Sequence, residues 1–182
     1  MDRRDALKTT TVLLGGLLAA SSSVLAACSR GARPIPGRVL NEDDQALMEQ
    51  IADTLLPTTK ESPGARAAGA GPAINLLLTD CYEPPDQQRV IHGLTDFRAT
   101  CRQREGADFS ALSVPKRQQF LRSLDADAKK AGDSHYFHLV RQLASQAYFS
   151  SEIGMTKALR YIRVPGKFIG CVPLAPGQPA WG

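Results

Sequence analysis

Two closely spaced histidines are the first candidates for chemistry in this 182-residue chain. His135 and His138 lie three residues apart, a spacing that places two imidazoles on one face of a helix, where they could ligate a metal ion. No third ligand group stands at a convincing spacing from them, and His92 is isolated. We therefore interpret all three as surface, interface or structural histidines and predict no metal site.

Carboxylates and thiols offer no better catalytic arrangement. Two carboxylate pairs occur, Asp80 with Glu83 and Asp125 with Asp127. Charges at helix ends or facing solvent explain these pairs better than general acid or base catalysis does. The thiols of Cys81 and Cys171 could act as nucleophiles, but no base can be assigned to either. The sequence therefore predicts no catalytic residue.

Signatures of cofactor binding are missing as well. The chain has no Cys-x-x-Cys-His motif, which attaches c-type haem. Residues 64–71 are rich in glycine, but they follow no predicted strand and lack the spacing of a dinucleotide-binding motif. They also lack the lysine and hydroxyl residue of a phosphate-binding loop. We interpret them as a flexible connection and expect the chain to bind neither flavin nor haem.

The amino terminus carries an export signal. Arg3 and Arg4 precede Leu7 and Lys8 at the spacing of a twin-arginine signal, and a weakly apolar stretch follows at residues 12–20. That stretch is too short and too rich in glycine to be a permanent membrane helix. Two positions of the motif depart from the preferred residues, so an ordinary secretory signal is the alternative. The twin-arginine export route carries folded proteins across the membrane, whereas the general secretory route carries unfolded chains.

A cysteine at the end of the leader predicts a lipid anchor. The tetrapeptide Leu-Ala-Ala-Cys ending at Cys28 matches the pattern of bacterial lipoproteins, whose cysteine thiol receives diacylglycerol before cleavage. Several acyl chains together would anchor the protein stably. The alternative is a soluble product cut after Ala26, which satisfies the small-residue rule for cleavage. We predict a signal peptide at residues 1–27, a linker at residues 28–40 and one domain at residues 41–182.

Composition and periodicity predict an all-α domain. The chain is 43% hydrophobic and 22% charged, and its basic residues are interleaved with acidic ones, which argues against a nucleic-acid partner. Apolar residues recur three and four positions apart in successive segments, and no stretch alternates with period two. The predicted helices cover residues 41–56, 73–82, 86–105, 113–131 and 134–149. We expect a compact bundle of five or six helices.

The tail after Arg160 is predicted to be irregular, because prolines and glycines recur throughout it. It nevertheless contains Tyr161, Phe168, Val172 and Trp181, and a disordered tail would be expected to lack its aromatic residues. A segment of this kind usually lies against something. Either it packs back on its own domain or it lies on a partner.

Several segments of the chain together resemble one family. They are residues 55–57, 63–65, 68–69, 80–82, 147–154, 158–161, 164–168, 170–173 and 179–181. The family that they resemble is the small subunit of membrane-bound, flavin-dependent gluconate 2-dehydrogenases, subunit 3 or gamma. The block that begins at residue 147 is the most specific. Met155 and Ile169 depart from the pattern, since the family more often has a smaller and an acidic residue there.

The resemblance implies a non-catalytic accessory role in a periplasmic dehydrogenase complex. In such complexes a large subunit similar to glucose-methanol-choline oxidoreductases holds FAD, and a multihaem cytochrome c passes electrons to the membrane. The small subunit would bind the flavoprotein and supply the export signal for the twin-arginine translocase, and Cys28 would anchor it to the membrane. A stand-alone exported lipoprotein that binds a metal or another ligand is the alternative function.

The residues expected to contact the partner lie in the carboxyl-terminal block and tail. They are Tyr148, Phe149, Glu152, Arg160, Tyr161, Phe168 and Trp181. The large subunit, rather than this chain, would select the substrate.

Three cysteines follow Cys28, and an odd number cannot pair completely within one chain. Cys81 ends an apolar helix and Cys101 lies on an apolar helix face, so both are expected to pack as small hydrophobic residues. Cys171 lies among prolines and glycines and is expected to be accessible. Our hypothesis is a disulfide from Cys171 to the large subunit. A Cys81–Cys171 bridge and a free Cys171 thiol are the alternatives.

Overall fold

The computed structural model of the chain describes residues 33–164, 166 and 170–181. The leader lies outside these residues, and with it the predicted export motif at Arg3, Arg4, Leu7 and Lys8 and the predicted lipidation site at Cys28. Phe168 of the tail is also outside them.

Five α-helices account for most of the described chain. They are α1 (Glu42–Leu55), α2 (Ala70–Cys81), α3 (Pro84–Glu105), α4 (Val114–Ala131) and α5 (Tyr136–Phe149). A short 3-10 helix, Phe109–Ala111, precedes α4, and a π-helical turn, Gly154–Ala158, follows α5. The predicted all-α fold class is therefore confirmed. In the described part of the chain no helix is both long enough and apolar enough to cross a membrane.

Local sequence signals set the helix ends. Asn41 caps α1, since its side-chain oxygen accepts a hydrogen bond from the Asp44 N–H at 2.9 Å. Helix α2 begins at Ala70, three residues earlier than predicted. Gly69 turns the chain into α2 with a φ of 68°, which favours glycine, and Pro72 is tolerated because it lies in the first turn.

Helix α5 lies at the centre of the bundle and contacts each of the other four helices. The residues predicted to face inward are buried, and Leu139 and Tyr148 are buried with them. The predicted inward residues are Phe137, Val140, Leu143, Ala144 and Ala147. Because all four neighbours pack on this one helix, its apolar surface is the common core of the domain.

Close approach of α3 to α5 depends on one glycine. A Cβ atom added at Gly93 would lie 2.3 Å from Cγ of Tyr136, so only glycine leaves room for that ring. Further along α3, the Phe97 ring packs edge-on against Phe109 and Phe120, with centroid distances of 5.1 and 5.2 Å. These edge-to-face contacts join α3, the 3-10 helix and α4.

One buried amide side chain fixes the segment that precedes α1. Asn75 on α2 accepts a hydrogen bond from the Leu40 N–H at 3.0 Å and donates to the Leu40 carbonyl oxygen at 3.0 Å. The same amide donates to Gln45 Oε1 at 2.9 Å. One step away, Thr79 Oγ1 accepts from the Val39 N–H at 3.1 Å. The segment that precedes α1 therefore lies against α2, where side chains of α2 pair with the Val39 N–H and with the N–H and carbonyl of Leu40.

Replacing Asn75 by alanine should destabilise the protein strongly. The buried N–H and carbonyl of Leu40 would lose their partners, at a cost of about 1–3 kcal/mol for each group. We expect the free energy of unfolding, measured by urea titration with circular dichroism, to fall by at least about 2 kcal/mol. Gln103→Ala, an exposed position on α3, is the control and should change it by no more than about 0.5 kcal/mol. Equal effects of the two substitutions would contradict this role.

Candidate partner-binding site

A close backbone contact turns the chain at the end of α5. Ser151 Oγ donates to the Tyr148 carbonyl oxygen at 2.6 Å and accepts from the Gly154 N–H at 3.0 Å. A Cβ atom at Gly154 would lie 2.0 Å from that same carbonyl oxygen, so the turn requires glycine. The π-helical turn Gly154–Ala158 begins at this contact and connects α5 to the carboxyl-terminal segment.

The segment after this turn closes on itself. The Arg160 N–H donates to the Ala180 carbonyl oxygen at 2.7 Å, and Arg160 forms an isolated parallel bridge with Trp181. The Arg160 guanidinium carbon lies 4.2 Å from the centroid of the Trp181 ring, which is a cation–π contact. We call residues 160–181 the C-terminal loop and the contact of Arg160 with Trp181 the clasp.

A tight turn returns the loop to the clasp. The Gln178 N–H donates to the Ala175 carbonyl oxygen at 3.1 Å, with Pro176 and Gly177 between them. Gly177 has a φ of 75°, and proline followed by such a glycine is the pattern of a type II turn. The prolines and glycines that exclude a regular element therefore build a defined turn.

Apolar side chains of the loop face solvent. Six of them have exposures between 41% and 81%, namely Tyr161, Ile162, Val164, Val172, Leu174 and Trp181. Ile162, Val164 and Leu174 were not among the residues predicted to contact a partner, although apolar residues within a segment of prolines and glycines could have indicated them. The loop does not pack back on its own domain through these side chains. Exposed apolar side chains of this kind form a candidate interaction surface.

Most residues predicted to contact a partner are accessible. Phe149, Glu152, Arg160, Tyr161 and Trp181 are exposed. Phe149 ends α5, Glu152 lies in the turn that follows, and the other three lie on the C-terminal loop, so all five are available to a second protein.

Tyr148 differs from this expectation, because its side chain is buried. Its hydroxyl donates to the Pro63 carbonyl oxygen at 2.8 Å and lies 2.7 Å from Ser62 Oγ. Tyr148 thus holds the connection between α1 and α2 against α5. It is a core residue and not part of a contact surface.

The three cysteines of the domain are free thiols in the structure. Cys101 is buried as predicted, and burial raises the pKa of its thiol, with further increases from Glu105 and Asp108. A raised pKa keeps this thiol protonated and unreactive. Cys171 is exposed as predicted. The prediction that Cys81 packs inward is wrong, because it is the last residue of α2 and the following side chain packs on the core instead.

The two neighbouring histidines have separate structural contacts. His135 is the N-cap of α5, and its Nδ1 accepts from the Phe137 N–H at 3.2 Å, which explains why the helix begins two residues later than predicted. His138 Nε2 lies 3.2 Å from the Ala128 carbonyl oxygen. Among the described residues, no group of three or more His, Cys, Asp or Glu side chains is placed to hold a metal ion.

The carboxylates of α4 are bound in ion pairs. Asp125 pairs with Lys129 at 2.8 Å and with Arg141, and Asp127 pairs with Arg104 at 2.8 Å. The hydrogen bond from Lys129 lowers the pKa of the Asp125 carboxyl, and the Arg141 guanidinium lowers it further. The Asp125 carboxylate, held ionised in this way, does not carry a proton at neutral pH, and its ion pair with Arg141 joins α4 to α5.

Comparison with known proteins identifies one family. Over residues 42–166 the chain matches the family described as Gluconate 2-dehydrogenase subunit 3. The match extends from α1 to the first residues of the C-terminal loop. No match was found among the curated proteins or among the solved structures.

Gly154→Ala should disturb the C-terminal loop while the helices remain. The added methyl group overlaps the Tyr148 carbonyl oxygen, so we expect the free energy of unfolding to fall by about 1–3 kcal/mol. Trp181 is the only tryptophan of the chain, so its fluorescence reports on the clasp. We expect its emission to shift to longer wavelength, with unchanged far-UV circular dichroism. Ser150→Ala at the same turn should leave the emission unchanged. An unshifted Gly154→Ala spectrum would show that the turn at Gly154 does not position the clasp.

Proposed function

Because this chain belongs to the gluconate 2-dehydrogenase subunit 3 family, we propose that it is the non-catalytic small subunit of an FAD-dependent sugar or polyol dehydrogenase. Membership itself associates the chain with the other subunits of a gluconate dehydrogenase complex, which is an oxidoreductase. The family match over residues 42–166 is the observation that carries the proposal. The small subunit assists the maturation, export and assembly of the flavoprotein.

The redox cofactors belong to the partners in this proposal. A large subunit of the glucose-methanol-choline type holds FAD and oxidises the substrate, and a multihaem cytochrome c subunit receives the electrons. The lack of haem and dinucleotide motifs in the present sequence supports this division.

The C-terminal loop and the end of α5 form the surface for the flavoprotein. Phe149, Glu152, Arg160, Tyr161 and Trp181 support this role because they are exposed, and the clasp brings Trp181 beside Arg160. Phe168 belongs to the same segment of the sequence. The clasp holds both ends of the loop together before binding, which lowers the conformational entropy lost on association.

Export and anchoring depend on the amino terminus. The twin-arginine signal exports this chain and the folded, FAD-loaded partner together through the translocase into the periplasm. Lipidation of Cys28 then holds the complex at the membrane, with residues 28–40 as the linker. The spacing of Arg3, Arg4, Leu7 and Lys8 and the Leu-Ala-Ala-Cys pattern support both steps.

Replacing Arg3 and Arg4 by lysine should strand two proteins in the cytoplasm. If flavin is loaded inside the cell, the partner must cross the membrane folded and attached to this subunit. We expect immunoblots of cell fractions to show both subunits lost from the periplasm and accumulated in the cytoplasm. A matched Lys60→Arg variant should export normally. A flavoprotein that reaches the periplasm in the double variant would show that export is not shared.

A disulfide from Cys171 to the large subunit should be visible on non-reducing electrophoresis of the native complex. Cys171 is exposed on the loop that we assign to the partner, and the periplasm favours disulfides. We expect a heavy band that reduction splits and that Cys171→Ser lacks. Cys81→Ser, which removes the other exposed thiol, should retain the band. Absence of the band from the wild-type complex would refute the hypothesis.

A further inference from the structure

Charge is distributed unevenly among the helices of the bundle. Residues 41–152 carry 12 Lys and Arg residues against 16 Asp and Glu residues, so this part of the chain has a net charge of −4. Helix α4 has the opposite balance, with five cations and two carboxylates. A cationic helix in an otherwise acidic bundle attracts anions to its own surface while the remainder repels them.

A cleft of ≈380 Å³ lies beside this helix. It is bounded by the end of α1, by α4 and by the first half of α5. Its apolar walls include Leu55, Leu121 and Phe137, of which the last two are buried. Clefts that bind small molecules have volumes of about 300–1,000 Å³ and combine apolar walls with a few polar groups. The size and the walls of this cleft therefore suit a small organic molecule.

Arg122 supplies an unengaged positive charge at the cleft. Its side chain lines the cleft, is exposed, and forms no ion pair or hydrogen bond with another described residue. Gln118 lies four residues earlier and lines the same cleft, and its amide also has no partner among the described residues. Residues four apart share one face of a helix, so both side chains can contact the same ligand.

The carboxylate of the cleft does not cancel this charge. Asp125 is bound by Arg141, which also lines the cleft, and by Lys129 at 2.8 Å. Two cations thus share one carboxylate, and Arg122 adds a third positive charge. An anion in the cleft would meet an excess of positive charge.

A cleft between α1 and α3 has a different balance. Its cations Arg98 and Arg102 lie against Asp44 at 2.7 Å and against Asp108 at 2.6 Å. Each of these guanidinium groups already has a carboxylate partner, so an added anion would gain less from them than from Arg122.

We propose that the cleft between the end of α1, α4 and α5 is a binding site for a small organic anion with an apolar body. The body would lie against Leu121 and Phe137, and the acidic group would accept hydrogen bonds from Arg122 and Gln118. None of the described residues of the C-terminal loop lines the cleft. The inference therefore does not rest on the proposed function.

Two fluorescent dyes with the same aromatic body provide the probes. Anilinonaphthalene sulfonate is an anion, whereas phenylnaphthylamine lacks the sulfonate and is neutral. Fluorescence titrations of the purified protein measure the affinity and stoichiometry of each dye, and NMR of the backbone amides locates the bound anion. Arg122→Gln removes the charge at the cleft. Lys130→Gln, the control, removes an exposed charge near the end of the same helix.

We expect one anionic dye to bind per chain, with the largest amide shifts around Gln118 and Arg122. Arg122→Gln should weaken its binding about tenfold, because a hydrogen bond to a charged group is lost. The control should stay within about twofold of the parent protein, since exposed charges contribute little. The neutral dye should bind more weakly than the anionic dye and should not respond to either substitution.

Several results would overturn the inference. They are failure of the anionic dye to bind, equal effects of the two substitutions, equal binding of the two dyes, and amide shifts confined to Tyr161, Ile162 and Trp181 of the C-terminal loop. Circular dichroism and urea midpoints establish that both variants are folded. Octanoate should displace the anionic dye and acetate at the same concentration should not. Equal displacement by both would show that the apolar body is not recognised.

The native complex with the flavoprotein tests whether a protein occupies the cleft instead. We expect the anionic dye to bind this complex as it binds the isolated chain. If the complex excludes the dye, or if a second copy of the chain displaces the dye as protein concentration rises, the cleft is a protein interface and the inference is wrong. Failure of the complex to form would contradict the proposed function, whereas the dye titrations of the isolated chain would still decide this inference.

Discussion

The apolar surface of α5 is covered by all four of the other helices, and this burial organises the whole molecule. A fully buried leucine, valine or phenylalanine contributes about 1.5–3 kcal/mol, so residues such as Phe137 and Leu143 supply much of the stabilisation. The same helix positions its surroundings. Gly93 admits Tyr136 at one end of α5, and Tyr148 holds the α1–α2 connection at the other. The π-helical turn that follows α5 is also built on this helix, because Ser151 and Gly154 pack against the Tyr148 carbonyl oxygen.

The molecule separates a structural part from an interacting part. In the bundle, polar groups pair internally, as Asn75 does with Leu40 and Asp125 with Lys129. In the C-terminal loop, apolar and cationic side chains remain exposed. Groups that are satisfied internally stabilise a fold, whereas groups left exposed are available to a partner. This contrast supports an accessory subunit in which the bundle provides the fold and the loop remains available to a partner.

The two ends of the domain are held by different means. At the amino-terminal end, Asn75 secures the segment that leads from the linker into α1. At the carboxyl-terminal end, Gly154 directs the chain and the clasp of Arg160 with Trp181 closes it. A loop closed by one backbone hydrogen bond and one cation–π contact stays adjustable, since an exposed contact of this type contributes only about 0.5–1 kcal/mol.

The sequence by itself determined the helices, their inward faces and the family. Spacings of three and four residues report helical periodicity directly, so Phe97 and Cys101 could be placed in the core without a structure. Tertiary structure alone decided that Tyr148 points inward and that Cys81 remains exposed. Periodicity is a local property, whereas the partners of Tyr148 lie 85 and 86 residues away. Contacts at such separations depend on how the helices pack, and no local pattern encodes that packing.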